Sequence, residues 1–438
     1  MHRCLQIPEL VRIIASDLIK RDLAILACTC KAFKDPALDG LWRTQLNVTN
    51  LMKCMPAGTW QAVDVDGILT LKLSRELVAS DWERVLEYGK RVRVLTCEDP
   101  PADEDGDPLG PTLVEVYAAV SRRVAAECLL PNLRHLSWQH HRIPLVPQLL
   151  LGSWITSVNL GPRPRGVRML QHVGQLKTLE AMELVLNPDI MEAEIPDGTL
   201  FPDLRSAKVE TEEVSELIAF MRTWSSRQLR FFSAEIVNNL KVAEVEGLYR
   251  VLAAYAHGQL SKVEVHFVYS YFLGFHDDWQ ERLTTDVHAG PFFRWLYPLT
   301  SLKELAITVP FGYNLGDDDI SAMALSWPTL EKLVLSSCLN HRSGCTLLAL
   351  STLARHCHNL SAVEITLDAS SVPTLPIYPQ LAQEKLVVLD IGFSTICDAP
   401  AVAAFISSVF SKLRKIKSSW AQEDTATRWI QVNQILRS

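Results

Sequence analysis

One six-residue pattern recurs along most of this chain and limits its fold more than any other feature. An apolar residue is followed by two residues, a second apolar residue, one residue and a third apolar residue, as in LEKLVL from Leu330. Nine of the eleven steps between successive segments measure 22 to 31 residues. A nearly constant period of this length indicates repeated supersecondary units. The twelve segments begin at Val92, Leu133, Ile155, Leu179, Leu204, Leu229, Leu260, Leu302, Leu330, Leu360, Leu386 and Leu413.

The segments between these hexapeptides are typical of helices. VSELIAFMRTW from Val214, CTLLALSTLARH from Cys345 and APAVAAFISSVF from Ala399 space their apolar residues three and four apart and contain few helix breakers. A strand followed by a helix at a fixed period predicts an α/β solenoid, with strands lining a concave sheet and helices outside. The pattern resembles the leucine-rich repeat, L-x-x-L-x-L, in an irregular form.

A doubly wound α/β sheet, the fold of many enzymes, is the alternative because it also alternates strands and helices. That fold favours longer, continuously apolar strands and a glycine-rich first turn. The chain has neither feature. The solenoid is therefore the favoured fold.

Three short helices are predicted before the repeats begin. The first places Pro8 in its opening turn, where a missing N–H donor costs nothing. Asp22 is expected to cap the second helix, and Asp35 before Pro36 the third. Helices of this length bury little surface alone, so they need a partner or the following chain to complete a core. The apolar face of the first helix carries Leu10, Ile13, Ile14 and Leu18.

The order of residues in these helices resembles the F-box. The chain departs from that motif at Ile7, where Leu usually precedes the Pro, and at Phe33, where many members carry Trp. Both changes keep the apolar character of the position. The matching elements are Ile7-Pro8-Glu9-Leu10, Ile13-Ile14, Leu18, Arg21-Asp22-Leu23, Cys30-Lys31-Ala32-Phe33 and Leu41-Trp42.

The resemblance implies a function and a partner. An F-box binds the Skp-type adaptor of cullin-RING ubiquitin ligases, and through it a cullin. With its repeats, the chain resembles the fungal F-box and leucine-rich-repeat family, whose arrays hold a target protein for ubiquitination. The alternative is a non-ligase interaction scaffold in which the helices only cap the array. Carried over position by position, the adaptor-binding residues are Ile7, Pro8, Glu9, Leu10, Ile13, Ile14, Leu23 and Lys31.

These patterns predict three segments. Residues 1–46 form the helical F-box module, residues 47–91 connect it to the array, and residues 92–438 form the solenoid, with insertions near 98–130 and 266–298. In the connecting segment, Ile68, Leu71 and Leu73 predict a first strand, and Asp81 is expected to cap the helix that follows.

Composition excludes several classes of partner. A net charge of -7, from 43 Lys and Arg against 50 Asp and Glu, offers no basic excess for nucleic acid or an anionic membrane. The ten cysteines lack the spacing of a disulfide framework, which favours a cytoplasmic or nuclear protein. No apolar run approaches the length of a membrane span.

No motif in the sequence predicts catalysis or a cofactor. The chain contains no G-x-S-x-G elbow, H-E-x-x-H, Walker loop or dinucleotide-binding fingerprint. We therefore expect a protein that is not an enzyme and that carries no metal.

The outward positions of the predicted strands hold eight acidic residues against three lysines, Lys208, Lys262 and Lys332. In a strand, the residues between the apolar positions face the opposite side of the sheet. We therefore expect a concave surface that prefers a basic or polar segment of the target. The predicted substrate-binding residues are Glu183, Glu210, Glu235, Glu264, Glu304, Glu364 and Asp390.

Four other features have a functional and a structural interpretation. Residues 338–358 carry the zinc-ligand types Cys and His, but Cys338 already has a place in the repeat. Residues 98–111 carry six acids that are typical of a solvated loop more than of a calcium site. Arg163 and Arg165 could bind a phosphate or belong to a solvated loop. The aromatic residues of 269–279 either anchor a partner or cover the core.

Overall fold

The computed structural model describes most of the chain, which divides into two compact units, Met1–Ala193 and Glu194–Ser438. No helix in the described part is long and apolar enough to cross a membrane. The predicted boundaries at residues 46 and 91 stay predictions. The described residues are 7–65, 68–97, 129–139, 152–161, 167–186, 195–237, 242–255, 259–268, 288–309, 312–337, 343–374, 383–419 and 423–437.

The first unit opens with three helices, α1 (Pro8–Ser16), α2 (Lys20–Thr29) and α3 (Lys31–Arg43). Their small core consists of Ala15, Leu23 and Ala37, with partly buried Leu18, Leu26, Ala27 and Leu41 around it. Helix α1 turns Val11 and Ala15, four residues apart, toward the inside. Pro8 occupies the first turn, as the sequence predicted.

The starts of α2 and α3 differ from the sequence prediction. Helix α2 begins at Lys20, so Asp22 lies inside its first turn and does not cap it. Helix α3 begins at Lys31, which places Pro36 inside the helix. A helix interior normally rejects proline because the ring removes a hydrogen bond. In α3, tertiary packing keeps the proline inside the helix, since Pro36 and the neighbouring Ala37 are both buried.

The rest of the first unit combines short strands, most of them in one parallel sheet, with short helices between them. That sheet has the order β1, β4, β5, β6, β7. The elements are β1 (Thr44–Gln45), α4 (Thr49–Met52), β2 (Trp60–Val65), β3 (Ile68–Leu73), a 3-10 turn (Ala79–Trp82), α5 (Glu83–Gly89), β4 (Val94–Cys97), β5 (His135–Trp138), β6 (Ser157–Leu160), α6 (Val167–Gly174) and β7 (Ala181–Val185).

Two predictions for the connecting segment need correction. The predicted first strand exists as β3, but it pairs antiparallel with β2 in a separate hairpin. The outermost strand of the parallel sheet is β1, which pairs with β4. Asp81 does not cap the helix from outside. It lies within the 3-10 turn, where its carboxylate accepts hydrogen bonds from the Val78 N–H and from Arg75.

The second unit is a parallel sheet with one strand from each repeat, in the order β8, β9, β10, β12, β14, β15, β17, β19. Two further small ladders join β11 with β13 and β16 with β18. The strands are β8 (Ser206–Thr211), β9 (Phe231–Ile236), β10 (Lys262–Phe267), β11 (His288–Ala289), β12 (Glu304–Val309), β13 (Tyr313–Asn314), β14 (Lys332–Ser337), β15 (Ala362–Ile365), β16 (Asp368–Ala369), β17 (Val388–Asp390), β18 (Thr395–Ile396) and β19 (Ile416–Lys417).

The helices of the second unit form one layer, because each packs against the next along the chain. They are α7 (Val214–Arg222), α8 (Val242–Tyr255), α9 (Gly290–Phe293), α10 (Asp317–Ser326), α11 (Leu347–His356), α12 (Ala399–Val409) and α13 (Glu423–Arg437). The three helices predicted from sequence correspond to α7, α11 and α12.

Each of the twelve predicted hexapeptides contains a strand that begins two or three residues after its first apolar residue. The second and third apolar residues then point to the interior, as Leu305 and Ile307 do in β12. Strand order follows chain order without reversal in each unit. A doubly wound sheet requires a reversal, so the topology of each unit fits the predicted leucine-rich-repeat solenoid.

Candidate protein-binding surfaces

Helix α1 and the residue just before it carry a row of exposed aliphatic side chains, which we call the α1 face and define as Ile7, Leu10, Ile13 and Ile14. Ile13 is 60% exposed and Ile14 47% exposed. Their spacing of three and four residues places them on one side of the helix, next to the buried Val11 and Ala15. Singly exposed apolar residues are ordinary, but a contiguous row typically marks an interaction site.

The remaining predicted adaptor residues divide into exposed and buried ones. Pro8 and Glu9 are exposed beside the α1 face, and Lys31 is exposed at the start of α3. Leu23 does not lie on the surface predicted to bind the adaptor, because it is 3% exposed and forms part of the helical core. An apolar residue in an amphipathic helix can face either a partner or its own core, and only the packing of α2 on α3 decides which.

Polar and aromatic contacts join the three helices to the strands that follow. The Arg91 guanidinium donates to the carboxylates of Asp35, at 2.7 Å, and Asp39. The rings of Trp42 and Tyr88 stack with their centroids 4.7 Å apart. Strand β1 also follows α3 directly, since Arg43 ends the helix and Thr44 begins the strand. The helices are therefore part of the first unit's packed structure.

The second candidate surface is the outward side of the parallel strands in the second unit, which we call the strand face. Half-buried or exposed residues alternate with buried ones in β8 and β10, as in the sequence KVEVHF of β10, whereas β9 and β12 each contain three buried residues in succession. The parallel register aligns these outward residues in rows that run across the sheet.

The structure places the predicted substrate-binding acids on outward positions. Glu210 and Glu235 are exposed, and they lie opposite each other on β8 and β9. The half-buried members are Glu264, Glu304, Glu364 and Asp390. Glu183 belongs to the first unit, where its carboxylate accepts a hydrogen bond from the Asn159 amide at 3.0 Å.

One lysine neutralises part of this acidic surface. Lys262 Nζ lies 3.1 Å from a carboxylate oxygen of Glu264 and 3.0 Å from one of Glu304. It also lies 5.3 Å from the centre of the Phe231 ring. Partial burial opposes the charged form of Lys262, but hydrogen bonds to Glu304 and Glu264 outweigh it and raise the pKa of the ammonium group.

Counting acids and bases along the sequence did not reveal this cluster. The signal was present, because Lys262 and Glu264 stand two residues apart in one strand. Glu304 occupies the equivalent of the Lys262 position in the next hexapeptide. Residues at equivalent positions of adjacent repeats become cross-strand neighbours, as the pairing of Lys262 with Glu304 shows.

Two cysteines named as zinc-ligand types are buried thiols. Burial raises the pKa of Cys345 to about 12, and likewise that of Cys357. Each thiol lies within hydrogen-bond distance of main-chain carbonyl oxygen, of Leu315 for Cys345 and of Trp327 for Cys357. Among the described residues, no group of three or more His, Cys, Asp or Glu is arranged to hold a metal ion.

Several features named from the sequence lie outside the described residues. They are Cys338 and the neighbouring His341, the acidic stretch 98–111, Arg163 and Arg165, and the aromatic stretch 269–279.

Comparisons with known proteins give no family for this chain. No protein-family model matches it, and no curated protein matches it. The solved structures that resemble it include an internalin from Listeria monocytogenes, which is 16% identical with a TM-score of 0.40. That match covers 82% of this chain and 88% of the internalin chain. At this TM-score the likeness carries no argument, and the fold assignment rests on strand order and register.

Proposed function

We propose that this protein is the substrate-recognition subunit of an SCF-type cullin-RING ubiquitin ligase. In this proposal α1 and its neighbours bind a Skp-type adaptor, which links them to a cullin. The strand face holds a target protein near the conjugating enzyme and so raises its local concentration for transfer. A complex of this kind acts in the cytoplasm or nucleus.

The observation that carries the proposal is the α1 face. Ile7, Leu10, Ile13 and Ile14 remain exposed although the same three helices bury Ala15, Leu23 and Ala37 in a core of their own. A helix in a groove typically presents apolar anchors at spacings of three and four residues. A bound partner would cover this row of side chains. The resemblance to the F-box indicates that this partner is a Skp-type adaptor.

The alternative function, an interaction scaffold without a ligase role, is favoured by a different observation. Arg91 with Asp35 and Asp39, and the stacking of Trp42 on Tyr88, bind the helices into the first unit. A helical cap that only closes the array would be attached in this way. The two functions differ in whether the α1 face binds an adaptor.

Binding of a purified Skp-type adaptor to the full chain, measured by biolayer interferometry, tests the proposal. The variant Ile13→Glu places a charge in the α1 face, and Ile430→Glu is its matched control, because Ile430 is 57% exposed on α13. We expect the wild type and Ile430→Glu to bind alike and Ile13→Glu to lose binding. Absence of binding by the wild type, or full binding by Ile13→Glu, would favour the scaffold.

A further inference from the structure

Two arginines stand side by side where the strands of the first unit's sheet begin. Arg93 directly precedes β4, and Arg134 directly precedes β5. The Arg134 N–H donates to the Arg93 carbonyl at 2.8 Å, so the two residues are neighbours on strands about 4.8 Å apart. The same main-chain bond joins Arg93 to Arg43 and Thr156 to Arg134, each at 2.9 Å. This row of four residues contains no carboxylate.

Main-chain carbonyls and one aromatic ring hold the two guanidinium groups. Arg93 Nη1 donates to the carbonyls of Lys90 and Asn132, each at 3.2 Å. Arg134 Nη1 donates to the Trp154 carbonyl at 3.1 Å, and its guanidinium carbon lies 5.5 Å from the centre of the Trp154 ring. These neutral groups position a guanidinium but do not cancel its charge. A guanidinium carries several N–H donors, so both arginines keep donors for another molecule.

Neither arginine has a counter-ion. In the described part of the chain, no carboxylate forms an ion pair with Arg93 or Arg134. Bases at comparable turns of the second unit are paired, since Lys303 Nζ lies 2.9 Å from Glu331 and Lys412 Nζ lies 2.6 Å from Glu384. The two arginines of the first unit are therefore available to an anionic partner.

The turns around these arginines carry a surplus of positive charge. They are residues 86–93, 129–134, 152–156 and 175–180. Arg91 is set aside, because it already binds Asp35 and Asp39. Four basic residues then face two acidic ones, namely Lys90, Arg93, Arg134 and Lys177 against Glu87 and Glu180. This local surplus contrasts with the net charge of -7 of the whole chain.

An exposed aromatic side chain lies beside the charges. Trp154 is 55% exposed although its ring contacts the Arg134 guanidinium. Tryptophan and arginine are the residue types that most often dominate the binding energy of protein interfaces. The same place therefore offers an apolar surface and fixed hydrogen-bond donors.

We propose that Arg93, Arg134 and Trp154, which we call the arginine edge, bind an acidic segment of a partner protein. Carboxylates of the segment accept hydrogen bonds from the two guanidinium groups, and an apolar side chain packs on the indole. Alternate side chains of an extended segment point to the same side about 6.7 Å apart, a spacing that two long arginine side chains can match. The acidic chain as a whole repels a long polyanion such as nucleic acid, which favours a short acidic segment.

Fluorescence anisotropy of the full chain with labelled peptides tests this proposal. The probe is a 12-residue Gly/Ser peptide that carries Glu-Ser-Glu followed by one leucine, compared with peptides that carry glutamine or arginine in place of glutamate. We expect only the glutamate peptide to bind, and to bind more weakly in high salt. Arg93→Gln and Arg134→Gln should each weaken binding roughly threefold to tenfold.

Two further variants separate the geometry of the site from its charge. Arg134→Lys keeps the charge but loses the planar fork, so it should also bind more weakly than the wild type. Trp154→Ala should weaken binding roughly twofold to fivefold, because it removes the ring that holds Arg134. Arg355→Gln is the matched control. Arg355 is exposed on α11, and its loss should leave binding within about twofold of the wild type.

Several results would overturn the proposal. They are equal binding of the glutamate and glutamine peptides, preference for the arginine peptide, or an effect of Arg355→Gln as large as that of Arg134→Gln. A labelled 12-nucleotide thymidine oligonucleotide that binds as tightly as the glutamate peptide would assign the edge to nucleic acid instead. If Arg134→Gln does not fold by circular dichroism, Arg134→Lys and Arg93→Gln decide the outcome.

The arginine edge goes beyond the proposed ligase function and does not rest on it, because its residues lie outside the α1 face. Ile13→Glu should leave binding of the glutamate peptide unchanged, and Arg134→Gln should leave binding of the adaptor unchanged. Failure of the peptide to bind a wild type that binds the adaptor would contradict the arginine edge alone. Failure of the adaptor with intact peptide binding would contradict the ligase function alone.

Discussion

The α1 face and the interior of the second unit's sheet are built from the same kind of residue but end in opposite environments. Ile13 on α1 is 60% exposed, whereas Ile307 on β12 is fully buried. Repeats on both sides supply apolar neighbours for Ile307, because its register partners are Val265 and Leu335. The described chain supplies no such cover for Ile13. Hydrophobicity alone therefore does not separate a core residue from an interface residue.

Replacing each isoleucine by alanine gives the largest expected contrast. Ile307→Ala leaves a cavity between packed strands and should lower the free energy of unfolding by about 2 to 5 kcal/mol. Ile13→Ala removes a solvated side chain and should change it by about 0.5 kcal/mol or less. Urea unfolding followed by circular dichroism measures both. Similar losses for the two variants would mean that Ile13 is part of a core.

Leu23→Ala sharpens the division between core and surface inside the helical module itself. Leu23 packs with Ala15 and Ala37, so we expect a loss of about 2 to 3 kcal/mol, at the low end because half-buried neighbours can close the cavity. Hydrogen exchange of the backbone amides should become faster in residues 8–43 and stay unchanged in the second unit. Unchanged exchange in the helices would contradict the burial of Leu23.

Asn433→Ala tests how helix α13, at the C-terminal end of the described chain, covers the last strand of the sheet, β19. The Asn433 amide accepts from the Ile416 N–H at 2.7 Å and donates to the Ile416 carbonyl at 2.9 Å, as a neighbouring strand would. Its loss should cost about 1 to 2 kcal/mol in urea unfolding. Gln434→Ala, an exposed neighbour on α13, is the control and should have almost no effect.

The smallest expected effect is a pH dependence in the first unit. Hydrogen bonds from Arg75 and from the Val78 N–H lower the pKa of Asp81 to about 2. The folded pKa thus lies below the unfolded value of about 4. The carboxylate then stabilises the fold above pH 4 and loses this effect as the pH falls toward 2.

The melting temperature of Asp81→Asn should therefore lie below that of the wild type at pH 7, and the gap should close as the pH falls from about 4 to about 2. Asp318→Asn, at an exposed position on α10, is the control and should show no such trend. A gap that stays constant over this range would contradict the lowered pKa of Asp81.

The sequence predicted most of the repeat architecture because its signal is local. Every hexapeptide carries the same alternation, so each predicts its own strand, and equal spacing places each strand beside the next. Local apolar spacing likewise predicted α7, α11 and α12. The sequence did not predict β1 or the pairing of β3 with β2, because neither β1 nor β2 carries the repeated pattern.

The candidate sites were predictable only in part. The apolar row of α1 and the acidic outward positions follow from periodicities of 3.6 and 2.0 residues. The burial of Leu23, the ion pairs of Lys262 and the place of Pro36 inside α3 depend on contacts between residues that are distant in the chain.

What the sequence by itself determined is the repeated strand, its alternation and the order in which strands follow one another, because these depend on residues a few positions apart. Only the tertiary structure decided which apolar residues are covered and which charges are already paired. Those outcomes depend on the element that packs against each position, as the buried Leu23 and the exposed Ile13 show within one small group of helices.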